Sequence, residues 1–273
     1  MKLGKSFLVI LALMFAAALP SCAAQELEAT VHFFNFGKAD AILITTAEHA
    51  VLIDTGKNKD GTQIVEYLKK NGIAALDVMI ITHFDKDHVG GADSVLEAIE
   101  VRRVLESDYA ADSKQTTQYR QALAEAGIEA EALSRNISFS LGMLEFTIDV
   151  ADALYAQEND LSLVVRMTCG QTAFLFAGDA EDARLTELLF DADSLACDVL
   201  KVPHHGGYED HSLLFFAACN AKYAVITSSE KDPEDEATIL ALESAGTEAL
   251  LTRHSGDGIT MDVTAGGLQV RFS

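Results

Sequence analysis

Residues 79–91 read Met79-Ile80-Ile81-Thr82-His83-Phe84-Asp85-Lys86-Asp87-His88-Val89-Gly90-Gly91. An apolar run from Val78 to Ile81 stops abruptly, and two imidazoles and two carboxylates follow within a few residues. The run has the length and the β-branched content of a short buried strand, and Gly90-Gly91 is the expected turn after it. The polar cluster is therefore expected on a loop at a strand's C-terminal end, where open α/β sheets place their sites. His and Asp at this density are ligands for first-row metal ions: imidazole suits Zn, Fe or Mn, and carboxylate shifts the preference towards harder ions.

Working outward, the segments before the cluster read as an antiparallel meander. Strands are expected over 29–36, 41–46 and 51–53, the last closed by Asp54-Thr55-Gly56. Helical spacing covers 61–70 and stops at Asn71-Gly72. After the cluster a short helix (92–99) and a returning strand (101–105) are expected. Residues 107–118 are polar and show no clear period, and 118–126 is helical up to Gly127. In the second half strands are expected over 137–139, 144–150, 161–167, 172–176, 199–202 and 223–227. The chain closes with strands over 250–251, 258–263 and 268–272, and helices lie over 180–190, 212–219 and 234–245. This mixture of β-rich stretches and βα alternation in both halves implies two packed sheets with helices outside.

The motifs resemble those of the metallo-β-lactamase superfamily. His83-x-Asp85-x-Asp87-His88 is similar to the HxHxDH signature, in the variant where the second His is Asp. The branch it most resembles is the hydrolase-like domain of the ComEC competence channels and its free-standing secreted relatives. Further pieces occur in the expected order: Gly37-Lys38-Ala39-Asp40, Leu52-Ile53-Asp54-Thr55-Gly56, Asn159-Asp160-Leu161-Ser162-Leu163, Phe176-Ala177-Gly178-Asp179 and Leu200-Lys201-Val202-Pro203-His204-His205-Gly206. The resemblance covers residues 29–272. It implies an α/β fold, the metallo-β-lactamase-like αββα sandwich of two β-sheets flanked by helices, as one domain over 25–273.

By the same resemblance His83 and Asp85 serve one metal, Asp87 and His88 a second, Asp179 bridges, and His205 completes the second site. His204 is then a neighbour of the first site or a proton donor. The cofactor is Zn or Mn, as one or two ions. Asp54, and Asp40 with it, are expected to hydrogen-bond to the ligands from behind. Asp179 has a second reading as the cap of the helix at 180–190. Asn159 stands near the place of the family's third His, which has no counterpart here. The first site is thus expected to be oxygen-rich and weak, favouring Mn or a loosely held Zn. His32, His49, His211 and His254 are read as strand, turn and surface residues.

The amino terminus reads as a secretory signal over residues 1–24, with Lys2 and Lys5 before an apolar stretch and small residues at 21–24. Leu19-Pro20-Ser21-Cys22 also resembles a lipobox, which makes Cys22 an alternative lipid-anchor site. The expected location is secreted, or membrane-anchored on the outer side of a bacterial cytoplasmic membrane. Cys169, Cys197 and Cys219 are odd in number and lack CxxC spacing; they read as small buried thiols, although such a compartment permits one bridge.

The formal charge is −22, and removing residues 1–24, which hold two lysines and no acid, makes the balance more negative still. Such a surface repels nucleic acid at long range and argues against a dedicated DNA-gripping groove. Metal ions in a pocket reverse the local sign, so phosphate chemistry stays open. The expected function is an extracytoplasmic metal-dependent hydrolase of phosphodiester bonds, in DNA or a small phosphodiester, with metal-bound hydroxide as nucleophile, Asp87 and His204 being the catalytic groups. The alternative is a degenerate non-catalytic metal- or ligand-binding member of the fold. No protein partner is inferable.

Overall fold

A computed structural model describes residues 27–272. The expected signal segment and Cys22 lie outside the described residues. The first half runs β1 (Leu27–Phe34), β2 (Ile42–Thr45), β3 (Ala50–Ile53), α1 (Asn58–Lys70), β4 (Ala75–Leu76), β5 (Val78–Ile81), α2 (Ala92–Ala98), β6 (Glu100–Val101), β7 (Val104–Ser107), α3 (Lys114–Ala126) and β8 (Glu131–Leu133). The second runs β9 (Ile137–Leu141), β10 (Leu144–Asp149), β11 (Val164–Cys169), β12 (Thr172–Phe176), α4 (Asp182–Leu188), β13 (Val199–Lys201), α5 (Ser212–Cys219), β14 (Tyr223–Ile226), α6 (Glu236–Ser244), β15 (Glu248–Leu251), β16 (Gly258–Thr264) and β17 (Gly267–Phe272).

Two sheets carry the molecule. One has the order β17-β16-β1-β2-β3-β5-β7-β8, the other β15-β14-β13-β12-β11-β10-β9. In each, an antiparallel meander passes into a parallel run: β3, β5, β7 and β8 in the first, β12, β13, β14 and β15 in the second. The two-residue side-chain period of a strand explains the layering. On β5, Val78 and Ile80 enter the core between the sheets, while Met79 and Ile81 face the helices. On β12, Phe174 and Phe176 enter the central core, and Leu175 packs with Leu185, Phe215, Phe216 and Leu242 beneath the outer helices. Strands covered on both faces read as continuous apolar runs, which is why 78–81 and 172–176 are legible in the sequence. The architecture is the expected αββα sandwich.

Several boundaries differ from the expectations. The strand expected at 101–105 is two, β6 and β7, and β6 pairs only with β4 in a small sheet of its own. α3 begins at Lys114 because Ser113 caps it, its hydroxyl accepting from the Thr116 amide at 3.0 Å. α4 spans only Asp182–Leu188, with Glu181 at its N-cap, so Asp179 is not the helix cap. No helix among the described residues is long and apolar enough to cross a membrane.

The parallel strands place their C-terminal ends along one edge of the sandwich. Asp54 follows β3, Thr82–His88 follow β5, Asp179 follows β12, His204 and His205 follow β13, and Thr227 follows β14. Gly91 lets the loop after β5 close against α1. A Cβ there would lie 2.3 Å from the Thr55 carbonyl oxygen and 2.7 Å from the Gly61 Cα. The requirement is close backbone approach, as its own φ of −90° is ordinary.

Candidate metal centre

Four of the expected ligands meet in one buried cluster. The imidazoles of His83 and His88 lie 4.0 Å apart between ring centres, and those of His88 and His205 5.3 Å. Asp179 Oδ2 lies 3.2 Å from both His88 Nε2 and His205 Nε2. Neither contact has hydrogen-bond geometry, and His83 Nε2, His88 Nε2, His205 Nε2 and Asp179 Oδ1 are all buried without a hydrogen-bond partner. Buried polar atoms are nearly always satisfied, so four orphans facing one another call for an explanation.

The far side of each ring explains how the orphans are aimed. The Asp54 carboxylate accepts from His88 Nδ1 at 2.8 Å and from the Thr82 amide and hydroxyl at 2.8 and 2.7 Å. The Thr82 hydroxyl, having given its proton to Asp54, accepts from His83 Nδ1 at 3.1 Å. In the same way the Thr227 hydroxyl donates to Asp40 Oδ1 at 2.6 Å and accepts from His205 Nδ1 at 3.0 Å. The rings of His88 and His205 therefore carry a proton on Nδ1 and turn Nε2 to the common centre, and His83, whose Nδ1 also lies 3.4 Å from the Ser162 hydroxyl, leaves its own Nε2 buried beside them. This is the arrangement that fixes the tautomer of a metal-ligating histidine.

Charge leads to the same place. Asp40, Asp54 and Asp179 are buried, and the nearby buried ammonium of Lys201 is ion-paired with Asp40 and 3.8 Å from Asp179 Oδ1. Three carboxylates against one ammonium leave two negative charges to be met. Burial pushes the imidazoles of His88 and His205 down, yet Asp179 with Asp54, and Asp179 with Asp40, lift them above the ordinary range. Burial opposes ionisation of Asp179 as well, but His205 and His88 hold its carboxyl well below the usual range. His83, held down by burial and by the charge of His88, stays neutral. The cluster thus draws in positive charge equal to that of a divalent cation, and the donor set fits one. His83, His88, Asp179 and His205, with Asp40 and Asp54 behind them, fall into overlapping groups whose ligand atoms lie within 4.8 Å of one another.

The remaining expected residues stand further out. Asp85 is outside those groups; burial and the charge of Asp87 push its carboxyl up. Asp87 is at the mouth, its side chain 16 % exposed and its Oδ2 3.9 Å from His205 Nε2. His204 is 27 % exposed at the rim, its ring centre 6.4 Å from that of His205 and its Nδ1 3.4 Å from Glu181 Oε1 in a group with Glu209. Asn159 is tied to the same Glu181, its amide donating at 2.9 Å. His211 sits half-buried against Asp182, and His49 against Asp77.

Lys201 and the hydroxyls of Thr82 and Thr227 are the parts that sequence reasoning missed. A charged residue within the apolar run Val199–Val202 was the available signal for Lys201, since lysine is almost never fully buried unless paired. Threonine at a strand end carries no comparable signal.

A profile of the Metallo-beta-lactamase superfamily matches residues 35–227, which span the cluster from Asp40 to Thr227. The chain belongs to the metallo-β-lactamase superfamily. Its distant homologues include ComE operon protein 3 of Bacillus subtilis (strain 168), 26 % identical over 238 residues that cover 80 % of this chain and 30 % of that protein. Recombination protein 2 of Haemophilus influenzae is 26 % identical over 211 residues, 74 % of this chain and 24 % of its own length. Competence protein ComA of Neisseria gonorrhoeae is 26 % identical over 208 residues, 76 % and 28 % respectively. The chain spans less than a third of the length of each of these relatives. Among solved structures, the metallo-beta-lactamase fold protein YhfI of Bacillus subtilis superposes with a TM-score of 0.57 at 12 % identity, covering 87 % of this chain and all of that one. That likeness concerns the fold.

Proposed function

We propose that this metallo-β-lactamase-superfamily chain is a metal-dependent hydrolase of phosphodiester bonds that works outside the cytoplasmic membrane. The observation that carries the reading is that three buried imidazoles turn Nε2 towards the Asp179 carboxylate, whose Oδ2 lies 3.2 Å from two of them. His83, His88, Asp179 and His205 would hold the ion. With three imidazoles and one carboxylate, this donor set is richer in nitrogen than Asp85 would have made it, and so favours zinc over manganese. The ion supplies Lewis acidity, which activates water at neutral pH and draws charge from phosphoryl oxygens.

The chain's own residues do the rest. Asp87, beside the cluster and open to solvent, accepts a proton from the attacking water. His204, beside Glu181, donates one to the departing oxygen. Asp54, Thr82 and Thr227 keep the imidazoles in register. Glu181 and Glu209 stand beside His204 at the rim, and burial, followed by Glu181, Asp182, Asp160 and Asp210, pushes the Glu209 carboxyl up. A negative rim disfavours a long polyanion, so a small phosphodiester, especially one bearing a cationic group, suits the opening better than DNA. The secretory reading of residues 1–24 supports the location, with Cys22 as the lipid-anchor alternative.

The test is turnover of bis(p-nitrophenyl) phosphate by the wild type and by Asp87→Ala with Zn²⁺, Mn²⁺ or chelator. Turnover that needs the metal and falls about 100-fold or more in the variant is expected for loss of a general base. Equal turnover in the variant would refute the role of Asp87. Stoichiometric metal without turnover of this or any ester would instead favour a binding protein on the same fold.

A further inference from the structure

Two of the three described cysteines are neighbours in space. Cys197 lies in the link leading into β13, and Cys219 is the last residue of α5. The Cys197 amide donates to the Cys219 carbonyl at 3.0 Å. The next residues continue the contact, with the amides of Lys222 and Tyr223 donating to the Asp198 carbonyl at 3.0 and 3.1 Å. A single amide-to-carbonyl hydrogen bond keeps the two Cα atoms roughly 5–6 Å apart, within the span that a disulfide bridges. Both residues are free thiols, Cys219 buried and Cys197 partly exposed. Burial pushes the Cys219 thiol well above its ordinary range, and the Cys197 thiol hydrogen-bonded to it adds to the effect. Cys169 is elsewhere, its sulfur 3.6 Å from Met143 Sδ on the other side of the second sheet's antiparallel part.

We infer that Cys197 and Cys219 form a disulfide when the chain meets an oxidising, disulfide-bearing reagent. The sulfur of the partly exposed Cys197 loses its proton and attacks one sulfur of the reagent, expelling the other as a thiolate. The Cys219 thiol then gives up its proton, its sulfur attacks Cys197, and the second thiolate leaves. Two cysteines are oxidised, one external disulfide is reduced to two thiols, and the released protons end on those thiols or the buffer.

The bridge closes a loop that contains β13, Lys201, His204, His205 and α5. It therefore ties together the two ends of the segment that presents His205 to the buried cluster. Neither cysteine takes part in the metal centre, so the inference stands whether or not the chain hydrolyses phosphodiesters.

The experiment incubates the full reduced chain, natively folded, with oxidised glutathione. Remaining thiols are then alkylated in denaturant and the peptides mapped by mass. A peptide pair joined through Cys197 and Cys219, with Cys169 alkylated, is expected. Alkylation of both, glutathione retained on Cys197, or a bridge to Cys169 would overturn the inference. Thermal unfolding adds a second readout. Reductant lowers the melting temperature of the oxidised wild type by roughly 5–10 °C, as expected for a loop of this size, and leaves Cys197→Ser unchanged. An equal response in Cys197→Ser would likewise overturn it; the partly exposed position tolerates the replacement.

Discussion

Lys201→Met tests the electrostatic account of the buried cluster. Lys201 is 1 % exposed, its ammonium paired with Asp40 and donating to the Gly178 carbonyl at 3.2 Å. Methionine preserves most of the apolar stem and removes only the charge. Asp40 is then left with the Thr227 hydroxyl and the nearby His205 in a site that excludes water. Breaking a buried ion pair by deleting one partner costs about 3–5 kcal/mol. The pH dependence is the sharper part. Burial pushes the Asp40 carboxyl up, and Lys201 is the largest influence holding it below the ordinary range. Removing that influence leaves burial as the largest one, opposed by His205 and His88, so the folded-state value is expected to rise above that of the unfolded chain. Folding then takes up a proton, and stability increases as pH falls through the raised value. Urea unfolding with chelator present should show the full deficit near pH 8 and a clearly smaller one near pH 5. The double variant Asp40→Asn/Lys201→Met should recover part of the loss at the higher pH. A deficit under about 1 kcal/mol, or one that is the same at both pH values, would refute the pairing and the charge count built on it.

Other consequences are as direct. Asp54→Ala removes the acceptor of His88 Nδ1 and of Thr82, and metal affinity measured by chelator competition should fall about 10–100-fold; an unchanged affinity would contradict the orienting role. Burial holds the His32 imidazole down at about 4 against an ordinary 6.5. The unfolded chain therefore binds its proton first as pH falls: the contribution is complete above 6.5 and is lost down to about 4. That amounts to about 3 kcal/mol, and His32→Gln should flatten this part of the stability profile. Gly91→Ala drives a methyl into the Thr55 carbonyl, so the loop after β5 must move. Both stability and metal affinity should drop, and a structure of the variant with the loop unmoved would contradict the close-approach account.

The parts of the fold that were legible are those where burial on both faces leaves an apolar run, such as 78–81 and 172–176, or where a turn residue marks an end, as Gly127 does. The break between β6 and β7 and the strand β8 were not, because two- and three-residue strands hold too few residues to show a period. At the centre, His83, His88, Asp179 and His205 announced themselves by residue type at strand ends. The sequence could not separate them from Asp85 and Asp87 nearby, since the choice depends on which way each side chain leaves the loop. Lys201 and Thr227 were hidden for another reason. Their roles run chiefly through Asp40, more than 150 residues away along the chain. The nearness of Cys197 and Cys219 likewise depends on how α5 returns to the sheet, which no spacing rule records.

Asp54, His204 and His205 all have left-handed backbones, with φ of +56°, +46° and +52°. A residue with a Cβ gives up about 1–2 kcal/mol relative to a relaxed backbone at such a position, and glycine gives up almost nothing. At these three places the backbone would be more at ease without a Cβ, although Asp54 and His205 stand in the buried centre and His204 at its rim. At Asp54 and His205 that backbone cost is outweighed by the buried hydrogen bonds and ion pairs of their side chains, but at the partly exposed His204 a search for thermostable variants that scored folding alone would drift towards glycine. At that position the more durable residue and the one able to give a proton differ, and a screen must measure turnover beside stability to tell them apart.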